Sequence, residues 1–162
     1  MSLVAICVLG FIVGSVGHCQ EGKEEVDRLY AKFVELSKDQ KYEEAEKTGI
    51  LLVTKGEEVF GKDHPSAGFF LNNLAGLYRS QGKYEEAEPL HKRALKICEE
   101  QLGADHPNTA QALNNLAGLY ESQGKYEEAE PLYERVLKIN EEQLGADHPD
   151  TAASLNYLAG LY

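Results

Sequence analysis

Three Asp-His-Pro triplets are the first candidates for a chemical function in this chain, because imidazole and carboxylate groups are common metal ligands. The triplets begin at Asp63, Asp105 and Asp147, so successive copies are 42 residues apart. If each copy belongs to its own helix hairpin, neighbouring copies lie roughly 20 Å apart, whereas the ligands of one zinc ion lie about 2.3 Å from it. The triplets therefore cannot share an ion, and we predict that they form helix caps and turns.

A histidine and a cysteine, His91 and Cys98, suggest a catalytic pair as a second possibility. They are seven residues apart on a predicted helix, which separates them by about 10 Å along its axis and excludes a direct dyad. The sequence also contains no glycine-rich phosphate loop, no nucleophile elbow and no H-E-x-x-H motif. We therefore predict a protein that is not an enzyme, with no catalytic residues, no metal site and no cofactor.

The segments that carry these residues are near-copies of one another. Residues 71–107 and 113–149 align with a constant offset of 42 and differ at only five of 37 positions. Shorter matches at the same offset continue into residues 41–45 and 155–162. Self-similarity with a period of about 20–50 residues is typical of solenoids, in which each unit packs only against its neighbours.

Each copy predicts two amphipathic helices, here called helix A and helix B. In both helices the apolar residues recur at i, i+3, i+4 and i+7, the spacing of one helix face. In the third copy these residues are Leu113, Leu116, Ala117 and Tyr120 on helix A, and Ala129, Leu132, Tyr133, Val136 and Leu137 on helix B. Only Gly124 and Lys125 separate the helices, which requires an antiparallel hairpin. We therefore predict an all-α fold, an α-solenoid of helix hairpins with about three repeats and a terminal half-repeat.

The offset divides the chain into segments. These are a signal-like segment at 1–19, a degenerate first repeat at 24–65, full repeats at 66–107 and 108–149, and the first helix of a truncated fourth repeat at 150–162. The first repeat deviates at Lys32, Phe33 and Gln40. Such deviation is expected of a terminal repeat, which has one face in water.

The final helix carries an apolar stripe that has no second helix to cover it, formed by Leu155, Leu158 and Ala159. We expect either that the sequence is part of a longer array or that this stripe stacks against another chain. The second possibility predicts self-association through the C-terminal half-repeat.

The first 19 residues differ in composition from the rest. Residues 3–17 form an uncharged, mainly apolar stretch of 15 residues that ends near Ser15 and Gly17, before strongly polar sequence. This stretch is shorter than the about 20 residues that a spanning helix needs, and it is typical of a secretory signal sequence. We expect a secreted or extracytoplasmic protein; the alternatives are an uncleaved membrane anchor and a cytoplasmic protein.

The charge of the chain limits its partners. The net charge is −11 and the pI is about 4.9, which argues against nucleic acid and anionic membranes because their binding depends on Lys and Arg. The acid is distributed as glutamate pairs, expected on a solvated helix face, at 85–86, 99–100, 127–128 and 141–142. We predict a protein or peptide partner that is neutral or basic, with no small-molecule substrate.

Three stretches of the third copy closely resemble a known family. They are Leu-Asn-Asn-Leu-Ala-Gly-Leu-Tyr at 113–120, Gly-Lys-Tyr-Glu-Glu-Ala-Glu-Pro-Leu-Tyr at 124–133 and Leu-Gly-Ala-Asp-His-Pro at 144–149. This pattern resembles the 42-residue tetratricopeptide repeats of kinesin light chains. The resemblance implies a right-handed superhelix whose A helices line a concave groove that takes a peptide, and it implies a scaffold or a cargo-adaptor fragment. The N-terminal heptad segment of kinesin light chains is missing from this sequence.

A second stripe of helix A is small and polar and predicts the residues of that groove. In the third repeat it comprises Gln111, Asn115, Gly118 and Ser122, and the register extends it to the neighbouring repeats. The full candidate set is Phe69, Asn72, Asn73, Gly76, Arg79, Ser80, Gln111, Asn114, Asn115, Gly118, Glu121, Ser122 and Tyr157.

Residues of that set differ in their expected roles. Asparagine can bond a peptide backbone with both its donor and its acceptor; alternatively, these asparagines satisfy contacts between repeats, and we expect this more of Asn72 and Asn114 than of their neighbours. Gly76 and Gly118 predict a close approach of a partner or another helix. Specificity is expected where the repeats differ, at Arg79 against Glu121, Phe69 against Gln111 and Tyr157 against Asn115.

Overall fold

The structure, a computed structural model, describes the backbone of residues 3–161 and the side chains of residues 20–161, and every regular element within them is a helix. Seven helices follow one another: α1 (Leu3–Lys38), α2 (Tyr42–Phe60), α3 (Pro65–Ser80), α4 (Tyr84–Leu102), α5 (Pro107–Ser122), α6 (Tyr126–Leu144) and α7 (Pro149–Ala159). The predicted all-α class is confirmed.

Consecutive helices pack as hairpins, α1 with α2, α3 with α4 and α5 with α6, and each hairpin packs on the first helix of the next one. Direct contact between α3 and α5 places the first helices of successive hairpins side by side. We call α1, α3, α5 and α7 the A helices and α2, α4 and α6 the B helices. The arrangement is the predicted α-solenoid, with three hairpins followed by one further A helix.

Each A helix after the first begins at an Asp-His-Pro triplet, and the histidine is its N-cap. The Nδ1 atoms of His64, His106 and His148 accept hydrogen bonds of 3.1, 3.0 and 3.2 Å from the backbone N–H two residues ahead. Proline occupies the first turn, where its missing N–H is not needed. The triplets are therefore caps, as predicted.

Glycine ends two of the A helices, and a glutamine stands in its place in the first hairpin. Gly82 and Gly124 each have a φ of +72°, the left-handed conformation that glycine adopts freely. Gln40, at the equivalent position, has a φ of +56°. A residue with a side chain is strained in this conformation, so the first hairpin contains a strained turn.

The helix of the first repeat is longer than the repeat itself. Helix α1 runs through Glu24, where the repeat was expected to begin. Residues 20–25 contain no proline and no Ser, Thr, Asp or Asn that could serve as an N-cap, so nothing interrupts the helix there. The side chains of the signal-like segment, residues 1–19, lie outside the described ones, and its role stays a prediction. Among the described residues no helix has the length and apolarity required to cross a membrane.

The predicted apolar faces form the core between the helices. Leu113, Leu116 and Ala117 are buried on α5, and their counterparts Leu71, Leu74 and Ala75 are buried on α3. On α6 the buried members of the predicted face are Ala129, Tyr133 and Val136, while Leu132 and Leu137 are half-buried. Each hairpin thus contributes one apolar layer, which the next hairpin covers.

One pair of equivalent positions, on a B helix and on the next A helix, carries different residues at each junction. The three pairs in the 42-residue register are Gly56 with Phe70, Cys98 with Ala112, and Asn140 with Ser154. A Cβ added to Gly56 would lie 2.6 Å from the Phe70 ring, so only glycine leaves room for that ring. Asn140 instead donates a hydrogen bond of 2.9 Å from Nδ2 to Ser154 Oγ. The middle pair is apolar and buried.

Ion pairs join consecutive B helices, and one of them involves a glutamate that was expected to be solvated. Arg135 Nη1 lies 2.6 Å from Glu99 Oε1, and Arg93 Nη1 lies 2.6 Å from Glu57 Oε1 at the preceding junction. Glu99 was predicted to face solvent; its side chain is 35% exposed and in addition pairs with the arginine of the next repeat. The other members of the four glutamate pairs are exposed.

The C-terminal helix leaves part of its apolar stripe uncovered. Leu155 is 50% exposed, whereas its counterparts Leu113 and Leu71 are 0% and 1% exposed. Ala159 is also exposed. Leu158 was expected to be uncovered but is half-buried, because it packs against α5 and α6.

Candidate functional site

Three clefts run along the row of A helices, and we call them together the helix A groove. The middle cleft, of about 590 Å³, lies between α3, α5, α6 and α7. A second cleft of about 480 Å³ lies between α1 and α3, and a third of about 410 Å³ lies between α5, α6 and α7. The middle cleft and the third cleft share Asn114 and Tyr157 as lining residues.

Most of the predicted groove residues line these clefts. The middle cleft contains Arg79, Ser80, Asn114, Asn115, Gly118, Glu121, Ser122 and Tyr157. The second cleft contains Asn73, Gly76 and Ser80, and the third contains Gln111, Asn114 and Tyr157. Phe69 and Asn72 line none of the three. Two tyrosines of the middle cleft, Tyr126 and Tyr133, were not predicted; Tyr133 stands at one of the five positions where residues 71–107 and 113–149 differ.

Arg79 reaches from α3 across to the next A helix. A Cβ added to Gly118 would lie 2.6 Å from Arg79 Nη1, so a side chain at 118 would displace the guanidinium. Arg79 is half-buried, and within the described part of the chain its guanidinium has neither a hydrogen bond nor an ion pair. The middle cleft therefore offers the donors of an arginine to a ligand.

The two groove glycines differ in what approaches them. Gly118 has the predicted close neighbour in Arg79, whereas a Cβ on Gly76 would meet nothing within 4 Å, so no described helix approaches Gly76 and the approach of a partner there stays a prediction. The residue that corresponds to Arg79 in the first hairpin is Ser37, which is too short to reach Gly76 and donates to Phe33 O at 2.7 Å in its own helix.

Glu121 occupies the position of Arg79 in the third repeat and has an internal partner. Tyr133 Oη donates a hydrogen bond of 2.7 Å to Glu121 Oε2. Burial, followed by this hydrogen bond, raises the pKa of Tyr133, so the hydroxyl keeps its proton. The carboxylate of Glu121 is thus oriented by helix α6, while Arg79 has no such partner.

The four groove asparagines are engaged in different ways. Asn73 Nδ2 donates to Phe69 O at 2.8 Å, and Asn115 Oδ1 accepts from Gln111 Nε2 at 3.2 Å, both within one helix. Asn72 Oδ1 lies 2.7 Å from His91 Nδ1 on the B helix of the same hairpin. Asn114 Oδ1 is buried and has no hydrogen-bond partner among the described residues.

The two serines and two of the aromatic residues have fixed contacts. Ser80 and Ser122 each donate at 2.7 Å to a carbonyl of their own helix. The Tyr157 ring, 45% exposed, stacks on Tyr133 with a centroid distance of 5.4 Å and an interplanar angle of 15°. Phe69 contacts the Tyr30 ring at 5.4 Å. The aromatic surface of the middle cleft is therefore formed on its α7 side by two stacked tyrosine rings.

The described residues contain no group of three His, Cys, Asp or Glu side chains that could hold a metal ion. His91 is buried, and burial, with a smaller effect of the Arg79 charge, lowers its pKa to about 4. The imidazole is therefore neutral near pH 7. Because Asn72 Oδ1 can only accept, the ring carries its proton on Nδ1.

The fold and the groove define a class of protein, the repeat proteins built as α-solenoids of helix hairpins. Residues 69–142 and 114–162 match the tetratricopeptide repeat family, and together they span more than half of the chain. The chain belongs to the tetratricopeptide repeat family, whose repeats mediate protein–protein interaction. No curated protein matches the sequence.

Solved structures similar to this chain include repeat proteins of the kinesin-light-chain type. Two crystal structures of a Podosopora anserina protein, assigned as a kinesin light chain with nearly identical repeats, are 25% identical with a TM-score of 0.76, and the match covers 85% of this chain and 65% of that one. BtubC from P. vanneervenii has a TM-score of 0.74 at 24% identity, over 93% of this chain and 64% of its own. This chain thus spans less than two thirds of the length of either protein, and the resemblance to kinesin-light-chain repeats is confirmed.

Proposed function

We propose that this chain is a non-enzymatic scaffold that binds an extended peptide segment of a protein partner in the helix A groove. The observation that carries the proposal is that eight of the predicted groove residues line one cleft, and that one of them, Arg79, has neither a hydrogen bond nor an ion pair among the described residues. The cleft presents guanidinium donors, amide groups and aromatic rings, the groups with which a protein surface recognises a peptide main chain and its side chains.

The partner fits this proposal best if it is neutral or basic overall. The net charge of −11 attracts a basic chain over long distances and repels nucleic acid and anionic membranes. A small-molecule substrate is not part of the proposal, because the three clefts are open to solvent and do not enclose a ligand. The signal-like segment at 1–19 supports, as a further part of the proposal, a secreted or extracytoplasmic setting.

The test uses charge reversals that the chain itself suggests. Peptides of about twelve residues, long enough to cross three helices spaced roughly 10 Å apart, are selected from a displayed random library on the wild-type protein. Their affinity is then measured by calorimetry for Arg79→Glu and for the matched control Lys92→Glu. Both substitutions introduce the residue that the third repeat carries, and Lys92 is exposed outside the clefts.

Arg79→Glu should weaken binding by about tenfold or more, because charge-assisted hydrogen bonds to the guanidinium are lost. Lys92→Glu should change it by less than about twofold, as is usual for an exposed residue. Equal losses in both variants would mean that only net charge matters, and no selected peptide at all would mean that the groove is not a peptide site.

A second candidate function is self-assembly through the C-terminal half-repeat, favoured by the exposure of Leu155, which is 50% against 0% for Leu113. Light scattering over a concentration series should then show a dimer that Leu155→Glu abolishes. A strictly monomeric wild type would exclude this candidate. A cargo-adaptor role similar to that of kinesin light chains is a third candidate, suggested by the names of the similar structures.

A further inference from the structure

Positively charged residues are engaged differently in the first hairpin and in the two that follow it. Between residues 66 and 149, seven of the eight Lys and Arg residues form ion pairs, and Arg79 is the exception among the described residues. Between residues 20 and 65, only Lys41 and Lys55 of eight do so. The six without an ion pair in the described part of the chain are Lys23, Arg28, Lys32, Lys38, Lys47 and Lys62.

Two of these residues, Arg28 and Lys32, lie on the side of α1 that faces away from the rest of the array. Their counterparts 42 residues further on, Phe70 and Leu74, pack back onto the preceding helix α2, where a Cβ added to Gly49 would lie 2.9 Å from Leu74 Cδ1. In the described backbone no hairpin precedes α1, which is one continuous helix. The side that receives a helix in each later hairpin is therefore occupied, in the first one, by two exposed cations.

The same side carries exposed aliphatic residues on α2. At the later junctions Arg93 and Arg135 reach back to a glutamate of the preceding B helix at 2.6 Å. Leu51 takes the place of these arginines and is 44% exposed. The adjacent Ile50, 47% exposed, takes the place of a charged residue in both later repeats. We call Arg28, Lys32, Ile50 and Leu51 together the basic end face.

Two acidic residues flank the cations on α1, Glu25 before them and Glu35 after them. The first acts on Lys55, whose pKa is raised by Glu58 and, to a smaller extent, by Glu25. The second corresponds to Leu77, which lines the cleft between α1 and α3, so it belongs to the groove side. At physiological salt a charge acts over about 8 Å, so the local sign of the basic end face decides what it attracts.

We propose that the basic end face is a second interaction surface, separate from the helix A groove, and that it binds an acidic amphipathic helix of a partner protein. A helix fits because α2 and α4 pack against this side of the next hairpin. Carboxylates fit because the B helices of this chain meet the next hairpin with Glu57 and Glu99 against an arginine. The partner helix would place carboxylates against Arg28 and Lys32, and an apolar residue against Leu51.

The test selects helical peptides on the protein itself. A displayed library of peptides of about 20 residues, with a fixed helix-forming face and one variable face, is enriched on the wild-type chain and depleted on the double variant Arg28→Glu with Lys32→Glu. The surviving peptides should carry Asp or Glu one helical turn apart, beside apolar residues. Basic survivors would overturn the proposal, and so would the absence of survivors, which is the result expected of a face that is only solvated.

The affinity of one selected peptide is then measured by fluorescence anisotropy. The double variant Arg28→Glu with Lys32→Glu should weaken binding at least tenfold, because two attractions become repulsions. The matched control, Lys96→Glu with Lys138→Glu, makes the same change in net charge at two exposed side chains of α4 and α6 and should change binding by less than about twofold. Leu51→Ser should weaken it by about fivefold through lost apolar contact. Equal losses in the two double variants would overturn the proposal, because only net charge would then matter.

Magnetic resonance places the peptide on the surface. The methyl resonances of Ile50 and Leu51 should shift when the selected peptide is added, and the amide resonance of Gly118 in the groove should not. The reverse pattern would overturn the proposal. Circular dichroism confirms that each variant remains helical.

Light scattering tests a different occupant of the same face. A wild-type dimer that dissociates in the double variant Arg28→Glu with Lys32→Glu would mean that a second copy of the chain covers the face, and the choice of an acidic partner would be wrong. A wild type that does not associate through this face keeps the acidic helix as its occupant. None of these outcomes affects the groove function, which Arg79→Glu tests separately.

Discussion

The second and third hairpins are nearly the same sequence, yet they differ at the positions that decide what each can contact. The first turns of α3 and α5 differ at each position from 66 to 70. Between residues 71–107 and 113–149 the five differences are Arg79 with Glu121, His91 with Tyr133, Lys92 with Glu134, Ala94 with Val136, and Cys98 with Asn140. The first two change the wall of the middle cleft, and the last changes the junction with the next A helix. The comparison shows that the buried leucines and alanines of the A helix face and the histidine caps are the same in both hairpins, while several differences lie where a hairpin meets its neighbour. The exchange of Ala94 for Val136 lies within the buried layer itself.

The differences also act in pairs rather than singly. In the third hairpin Tyr133 bonds Glu121, so two of the five substitutions form one contact. In the second hairpin the corresponding Arg79 and His91 are not bonded to each other; the arginine extends over Gly118 and the histidine engages Asn72. Replacing Tyr133 alone with the histidine of the second hairpin would therefore remove the hydrogen bond to Glu121, and replacing His91 alone with tyrosine would remove the contact of Asn72.

The largest expected effect is a difference in stability between a substitution on an internal A helix and the same substitution on the terminal one. Leu113→Ala should lower the free energy of unfolding by about 2–5 kcal/mol, because it leaves a cavity in a covered layer. Leu155→Ala, its counterpart on α7, should cost less than about 1 kcal/mol because half of that side chain is already exposed, at 50%. Urea denaturation of both variants measures the difference, and equal losses would mean that α7 is covered in solution.

A second prediction concerns His91, whose counterpart Tyr133 does not titrate in the acidic range. The folded-state pKa of about 4 lies below the ordinary value of 6.5, so between these values the unfolded chain binds more protons than the folded one. Stability should therefore fall as the pH drops from about 6.5 to about 4, by roughly 3 kcal/mol in total from this group.

The control is His91→Tyr, which introduces the residue of the third hairpin. Both proteins contain the same carboxylates, so the difference between their pH profiles in urea denaturation reports the contribution of His91. Parallel profiles would show that His91 is accessible to protons in the folded state.

The smallest expected effect concerns the turn of the first hairpin, which is compared with the equivalent turns of the other two hairpins. Gln40→Gly should raise the free energy of unfolding by about 1 kcal/mol, because glycine adopts the left-handed conformation of this turn without strain. Gly82→Ala, the reverse change at the equivalent turn, should lower it by a similar amount. Thermal denaturation of the two variants provides the measurement, and a destabilising Gln40→Gly would mean that the glutamine side chain has a compensating contact.

The sequence predicted the helices and their faces because these depend on local, periodic patterns. Leu113 and Leu116 recur with the period of a helix, and the triplets that contain His106 and His148 mark helix starts with a polar residue and a proline. The groove stripe followed from the same register. These features repeat, so each copy supported the interpretation of the others.

The remaining features depend on residues from a neighbouring helix, which a local pattern does not contain. Gly76 and Gly118 are the same residue in the same motif, but only Gly118 is approached by an arginine. Asn72 and Asn114 likewise differ only through the residue 19 positions further on. The start of the first repeat was also uncertain from sequence, since no cap or proline marks it near Glu24.

The junction pairs give the order of the hairpins a physical basis. Gly56 accommodates the large ring of Phe70, whereas Asn140 requires the hydroxyl of Ser154. If the hairpins were rearranged, an asparagine would clash with a phenylalanine or a polar group would face an alanine. A hairpin moved to another position in the array would therefore bring unmatched residues to its junctions, so the hairpins of this chain are not interchangeable parts.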